Sequence, residues 1–316
     1  MHHVGIVVFD GVTLLDVSGP GDVFGQGTKD GLPYQISLIS PDGGPVTTSS
    51  GLQLTGTVAA TQAGKIDSLM VAGGPHLPVQ PVDPQLLNAV SQLLPGAERV
   101  ASVCTGAFVL AELGVLDGRT ATTHWRHTDT LALRYPQVRV EHDVIHCQDE
   151  NYFTSAGITA GIDLTLALIE QDHGPAAARN IAQELVVFMN RPGGQAQFAS
   201  GFALSSPKSE VLRSVTQSVI AQPAAEHSLS TMAATAHVSE RHLTRLFRTE
   251  LNSTPARWVE RIRLDRSQRL LLDGHSVTET AQRSGFGNDE TLRRAFARQL
   301  GITPSEYKRR FASTIR

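Results

Sequence analysis

The stretch RVASVCTGAFVLAELG, residues 99–114, decides the architecture. Residues 99–103 form a β-branched run of strand length, and the pattern from 105 to 113 is helical. Cys104 stands alone between them. A strand that turns sharply into a helix lifts the side chain at the turn above the sheet edge, with the helix amides and dipole beneath it. Gly106 allows the close approach, and a helix N-terminus lowers a thiol pKa, so a thiolate is expected. Strand-then-helix recurs on both sides of this element. HVGIVVF (3–9), YQISLIS (34–40), IDSLMVA (66–72) and VIHC (144–147) read as further strands. LLDVSGPGDVF (14–24), DPQLLNAVSQLL (83–94) and HWRHTDTLALRY (124–135) read as the intervening helices. Such alternation predicts a mostly parallel sheet covered on both faces. Ligands of these sheets bind beyond the carboxyl ends of the strands. Asp16, AGGP (72–75) and Cys104 all sit at such ends.

Two more helices follow in GITAGIDLTLALIEQDHG and PAAARNIAQELVVFMN, residues 157–190. RPGGQAQFASGFALSSP (191–207) has no period and is rich in Gly, Ser and Pro, so a linker is expected over 191–206. Domains of 1–190 and 207–316 agree with the length of 316 residues. Beyond the linker the pattern is all helical, beginning with Val211, Leu212, Val215, Val219 and Ile220 on one face of the first helix. Charge divides at the same place. Residues 1–206 hold 9 Lys and Arg against 19 Asp and Glu, whereas 207–316 hold 18 against 11. Only the second part is suited to a polyanion. The composition, 41% hydrophobic and 18% charged, is that of a soluble protein. No membrane span or signal peptide is expected, and two cysteines are too few for a disulfide framework; a reducing cytoplasm fits.

The basic part contains a duplication. A shift of 49 lays Leu243, Leu246, Phe247 and Leu251 on Leu292, Ala295, Phe296 and Leu300, and pairs Thr254, Pro255 and Trp258 with Thr303, Pro304 and Tyr307. Upstream the shift is 48, pairing Leu229, Ala233 and Val238 with Val277, Ala281 and Phe286. Each copy reads as helix, tight turn and second helix, the helix-turn-helix unit. Ser239 and Asn288 are N-cap types opening the second helices. Their outer faces carry Glu240, Arg241, Thr244, Arg245 and Arg248 in one copy and Asp289, Glu290, Arg293, Arg294 and Arg298 in the other.

SERHLTRLF, SGFGNDETLRRAF and GITPSEYKRRF make residues 207–311 resemble the AraC-type DNA-binding domain. The resemblance implies seven helices, with two recognition helices entering adjacent major-groove segments about one turn apart. By position, Arg241, Thr244 and Arg245 would read bases from one helix, and Asp289, Glu290, Arg293 and Arg294 from the other. Arg245 and Arg294 occupy matching places and are the strongest candidates. The first half, through LLDVSGPGDVF, AGGP, VASVCTGAFVLAELGVLDGRTATTHW and TSAGITAGIDLTLALIE, resembles the PfpI branch of the glutamine-amidotransferase-like superfamily. That implies a flavodoxin-like, class I glutamine-amidotransferase-like α/β sandwich. Its nearest branches are isocyanide hydratase and the sensor half of GlxA-family transcriptional regulators, and the order of the two halves is the GlxA arrangement. The resemblance makes Cys104 the elbow residue, Asp16 its acidic neighbour, and Gly73 and Gly74 the oxyanion-type donors, with His124 near the pocket. Thr105 stands where peptidase-like branches carry histidine, which disfavours a Cys-His mechanism. His146 and Cys147 alternate across a strand, so no metal site is expected, and no cofactor is implied.

The expected function is a DNA-binding transcriptional regulator, not an enzyme, whose first half binds a small-molecule effector at the Cys104/Asp16 pocket. Homodimerisation is implied by the resemblance, and RNA polymerase would be a partner of an activator. Two alternatives stay open: a thiol-dependent hydratase tethered to DNA, and oxidation sensing by Cys104.

Overall fold

A computed structural model of the chain describes residues 1–188, 194–195, 207, 209–251 and 253–311. The chain divides into two compact units, Met1–Arg191 and Pro192–Arg316. The linker expected over 191–206 lies outside the described residues, Gly194 and Gln195 excepted.

In chain order the first unit begins with β1 (His2–Val7), α1 (Leu14–Lys29) and β2 (Tyr34–Ser40). The short strands β3 (Val46–Thr47), β4 (Gln53–Leu54) and β5 (Val58–Ala59) come next, then β6 (Ser68–Val71) and α2 (Pro84–Leu93). After β7 (Arg99–Val103) come α3 (Ala107–Glu112), β8 (Thr120–Ala121), α4 (Thr128–Arg134), β9 (Arg139–Val140), β10 (His146–Asp149), β11 (Tyr152–Ser155) and α5 (Ala160–Glu184). Seven strands form one sheet in the order β10-β11-β7-β6-β1-β2-β5, parallel except for β10. Val4, Ile6, Leu69, Met70, Val100 and Ala101 are almost wholly buried, which is why the central strands read as near-continuous apolar runs. The strand order reverses at β1, whose neighbours are β2 and β6. Register puts Val7 opposite Val71, Val71 opposite Ser102 and Val103 opposite Ser155. The loops that follow β1, β6, β7 and β11 therefore meet at one edge beside the switch point, the place where doubly wound sheets hold ligands.

One strand was not foreseen, and two local expectations are corrected. The strand beside β7 is β11 (YFTS), which the sequence reading missed. The run expected as a strand over 144–147 instead supplies β10, at 146–149, the antiparallel arm of the same hairpin. Glu150, with φ 55°, makes the turn between them. The helix expected over 124–135 opens with a 3-10 turn, Trp125–His127, before α4. The two helices expected over 157–190 are both present along α5, which breaks between them at Gly174 (φ 83°) ahead of Pro175.

The second unit is helical: α6 (Glu210–Ala221), α7 (Leu229–Thr235), α8 (Glu240–Leu251), α9 (Pro255–Leu272), α10 (Val277–Ser284), α11 (Asp289–Leu300) and α12 (Pro304–Phe311). These are seven helices among the described residues. Along α6, Leu212, Val215 and Val219 are buried, but Ile220 is 43% exposed and not on the packed face. The duplication is physical. Ala233 and Ala281 are buried, and the turns close by Val238 N–H to Ala233 O at 3.0 Å and Phe286 N–H to Ala281 O at 2.9 Å. Phe247 meets Trp258 edge-on at 5.9 Å, and Phe296 meets Tyr307 likewise at 5.7 Å. Each copy keeps its own apolar core, one around Phe247 and one around Phe296.

Candidate functional site

Cys104 stands directly after β7 with φ 57°, the left-handed turn that points a side chain off the end of a strand. For a residue with a Cβ that conformation costs roughly 1–2 kcal/mol, so its neighbours must hold it. Thr123 Oγ1 donates to the Cys104 carbonyl at 2.7 Å. Gly157, in the loop after β11, packs so closely that a Cβ there would lie 2.0 Å from Cys104 Cβ and 2.6 Å from its sulfur. Gly106 fits under the turn because a Cβ would meet the Val71 carbonyl oxygen at 2.2 Å. Asp16, in the first turn of α1, is fully buried. Its Oδ1 accepts the Ile158 N–H at 2.7 Å, while Oδ2 has no hydrogen-bond partner. A Cβ on Gly73 would stand 2.8 Å from that Oδ2 and 2.8 Å from Cys104 Cβ, so Asp16, Gly73 and Cys104 share one confined space. Thr105 ties the β6 and β7 loops together: its Oγ1 donates to Gly74 O at 2.7 Å and accepts Gly74 N–H at 2.8 Å. The Gly74 amide, expected to face a ligand, is thus taken by Thr105, and Gly73 is left as the glycine next to the carboxylate. His124 is half-buried and caps the 3-10 turn, accepting Arg126 N–H at 3.3 Å and lying against Trp125 at 5.4 Å. It makes no hydrogen bond to Cys104 or Asp16. Gly157 and Ile158 escaped the sequence reading as pocket residues; the glycine after a strand in TSAGIT was the available signal.

The electrostatics reverse one expectation. Burial, and after it the negative field of Asp16, push the Cys104 thiol well above its usual range despite the helix that follows. The helix N-terminus loses to desolvation because the cysteine is only 6% exposed. Burial likewise raises the Asp16 carboxyl from 3.8 to about 6, against the pull of the Ile158 hydrogen bond and of the Gly73 amide and Cys104 thiol, which lie beside Oδ2 without an aligned hydrogen bond to it. At neutral pH the pair is a neutral thiol beside a carboxylate that protonates within reach of physiological pH. Burial, with His127 and Arg126 nearby, lowers His124 to about 4, so its ring is neutral.

In the second unit α8 and α11 are twelve residues each and begin 49 apart. Ser239 Oγ accepts His242 N–H at 3.2 Å and Asn288 Oδ1 accepts Thr291 N–H at 2.8 Å, both at the expected N-caps. Leu243 and Phe247 turn inward on α8, as Leu292, Ala295 and Phe296 do on α11, which leaves the basic faces in solvent. Arg241 and Arg245 are exposed and Thr244 is partly so. Asp289, Glu290, Arg293 and Arg294 are exposed on α11, with Asp289 Oδ2 accepting Thr278 Oγ1 at 2.9 Å.

Comparison with known proteins agrees with both halves. Residues 2–171 match the DJ-1/PfpI family and residues 232–310 match a helix-turn-helix domain. The chain belongs to the DJ-1/PfpI family and carries the AraC-type helix-turn-helix domain of GlxA-like regulators. It is 33% identical to the HTH-type transcriptional regulator CdhR of Pseudomonas aeruginosa over 86% of this chain and 81% of that protein. The HTH-type transcriptional regulator GlxA of Rhizobium meliloti is 29% identical over 89% of this chain and 86% of its own. Isonitrile hydratase of Pseudomonas putida is 37% identical, but over 58% of this chain and 77% of its own. No helix among the described residues is long and apolar enough to cross a membrane.

Proposed function

We propose that this transcriptional regulator receives a small-molecule effector at the Asp16–Cys104 pocket and reads promoter DNA with α8 and α11. The observation that carries the first part is Asp16 Oδ2, a buried carboxylate oxygen without a partner beside Gly73 and Cys104. An unsatisfied buried acceptor costs about 1–3 kcal/mol, more when charged, and a ligand that donates to it recovers that energy. Bases are read by Arg241, Thr244 and Arg245 from α8 and by Asp289, Glu290, Arg293 and Arg294 from α11. A homodimer in the cytoplasm presents two such readers, and RNA polymerase is the partner where it activates. The effector acts only by binding two arrangements of the chain unequally, since equal affinity shifts nothing. A metabolite panel screened by thermal shift tests this. A compound that raises the Tm of the wild type, spares Asp16→Asn, and changes affinity for promoter DNA supports the assignment. Compounds that act equally on both proteins remove Asp16 from it.

A hydratase reading has one observation in its favour: the strained cysteine elbow beside a carboxyl able to give up a proton near pH 6. Multiple turnover of an isocyanide, abolished by Cys104→Ala, would establish it. Thr105, bound to Gly74, offers no base in the place of the peptidase histidine.

A further inference from the structure

The two recognition helices differ in how their arginines are partnered. On α8, Arg241, Arg245 and Arg248 have no carboxylate partner among the described residues; Arg245 hydrogen-bonds only His242 Nδ1, at 3.1 Å. On α11 every arginine is ion-paired. Glu290 takes two of them, Arg293 at 2.7 Å and Arg294 at 2.8 Å, one on each carboxylate oxygen, and Arg298 pairs with Glu260 of α9 at 2.7 Å. The place of Glu290 in the first copy is held by Arg241, 49 residues earlier, so the duplicated scaffold carries opposite charges at the same spot. The Arg293 and Arg294 guanidinium groups hold the Glu290 carboxyl below its usual range, so it stays ionised.

We infer that Glu290 is a specificity-determining residue that holds Arg293 and Arg294 away from phosphates, so that α11 gains less than α8 from unselective contact and discriminates bases more sharply. This rests on the reading that both helices face DNA. An arginine gains from any phosphate, and that gain carries no sequence information. To reach a phosphate, Arg293 or Arg294 must leave a carboxylate at bonding distance and bring that carboxylate towards the polyanion. A guanine offers a better exchange, because its O6 and N7 accept both arginine donors at once while the cytosine N4 across the pair donates to an acid. The clamp therefore penalises random duplex more than a matching G·C pair. The unclamped α8 arginines meet no such penalty.

The test uses the full chain, a duplex of scrambled sequence, and a duplex enriched by the wild-type protein from a random library. Binding is measured over a salt series. Glu290→Gln keeps the side chain's size and removes its charge at an exposed position. It should tighten the scrambled duplex about 3- to 10-fold and steepen its salt dependence by about 1–2 in log–log slope, the signature of one or two new phosphate contacts. The enriched-to-scrambled ratio should fall at least as much. Arg248→Gln, which removes an α8 arginine outside the base-reading set, should weaken both duplexes alike and flatten the slope by about 1. If Glu290→Gln leaves the scrambled duplex unchanged and weakens only the enriched one, Glu290 acts as a base contact alone and the clamp is overturned. If it alters neither, α11 lies outside the interface and the inference falls. A wild type that binds neither duplex contradicts the DNA reading itself, a separate failure.

Discussion

Replacing Asp16 by asparagine gives a stability change whose dependence on pH follows from the geometry. The carboxyl is fully buried and raised from 3.8 to about 6. The folded chain therefore holds this proton more tightly than the unfolded chain. Its contribution to stability is complete below pH 3.8 and is lost as pH rises through about 6. At about 1.4 kcal/mol per pKa unit, the charged carboxylate destabilises the first unit by about 3 kcal/mol at neutral pH. Between pH 5 and pH 7 the loss is about 1.3 kcal/mol, roughly ninefold in the opening equilibrium. Asparagine is neutral at both values, so whatever it costs in packing is the same at each and cancels. Hydrogen exchange of the β6 and β7 amides, corrected for intrinsic rates, reports opening of this unit alone. The wild-type opening constant should rise about ninefold relative to Asp16→Asn from pH 5 to pH 7. A ratio that does not change with pH would mean an ordinary carboxyl and would refute the picture of a buried, partnerless oxygen.

Gly157→Ala should destabilise the first unit by about 2–4 kcal/mol, because the new methyl overlaps Cys104 and the residue must keep a left-handed φ; thermal melting checks it. Thr105→Val should cost about 1–3 kcal/mol by stranding the Gly74 amide, and would show as faster exchange at that amide. Phe296→Ala should remove about 3–5 kcal/mol from the second copy's core while the first copy's amides stay protected, since each copy buries its own cluster. Cys104→Ala should leave DNA affinity without effector intact. A collapse in that affinity would mark Cys104 as structural.

Much of this was legible in the sequence because burial imposes a phase. Leu243 and Phe247 recur as Leu292 and Phe296 at a shift of 49 because both pairs must turn inward from helices of the same length. Cys104 and Asp16 were found because a parallel sheet collects its strand ends at one edge. The β11 strand escaped because YFTS is four residues long and half polar, with Thr154 and Ser155 buried, so no apolar run betrays it. With β11 went Gly157 and Ile158, which respectively pack against Cys104 and donate to Asp16. The thiol's expected ionisation failed on magnitude. A helix N-terminus favours the thiolate, but desolvation and a neighbouring carboxylate oppose it more strongly, and only coordinates reveal how deep the cysteine lies. The Glu290 pairing follows i, i+3 and i, i+4 spacing. Sequence alone could not say that one carboxylate takes both arginines while the α8 arginines have none.

Enrichment of a random duplex library on the full chain tests most directly whether this protein is a two-headed DNA reader. The recovered sequences should contain two short informative blocks about one helical turn apart. One block should lose its information in Arg245→Ala and the other in Arg294→Ala, each at a cost of about 1–3 kcal/mol on the enriched site. A library that enriches no motif, or a motif that survives both substitutions unchanged, would contradict the assignment of α8 and α11.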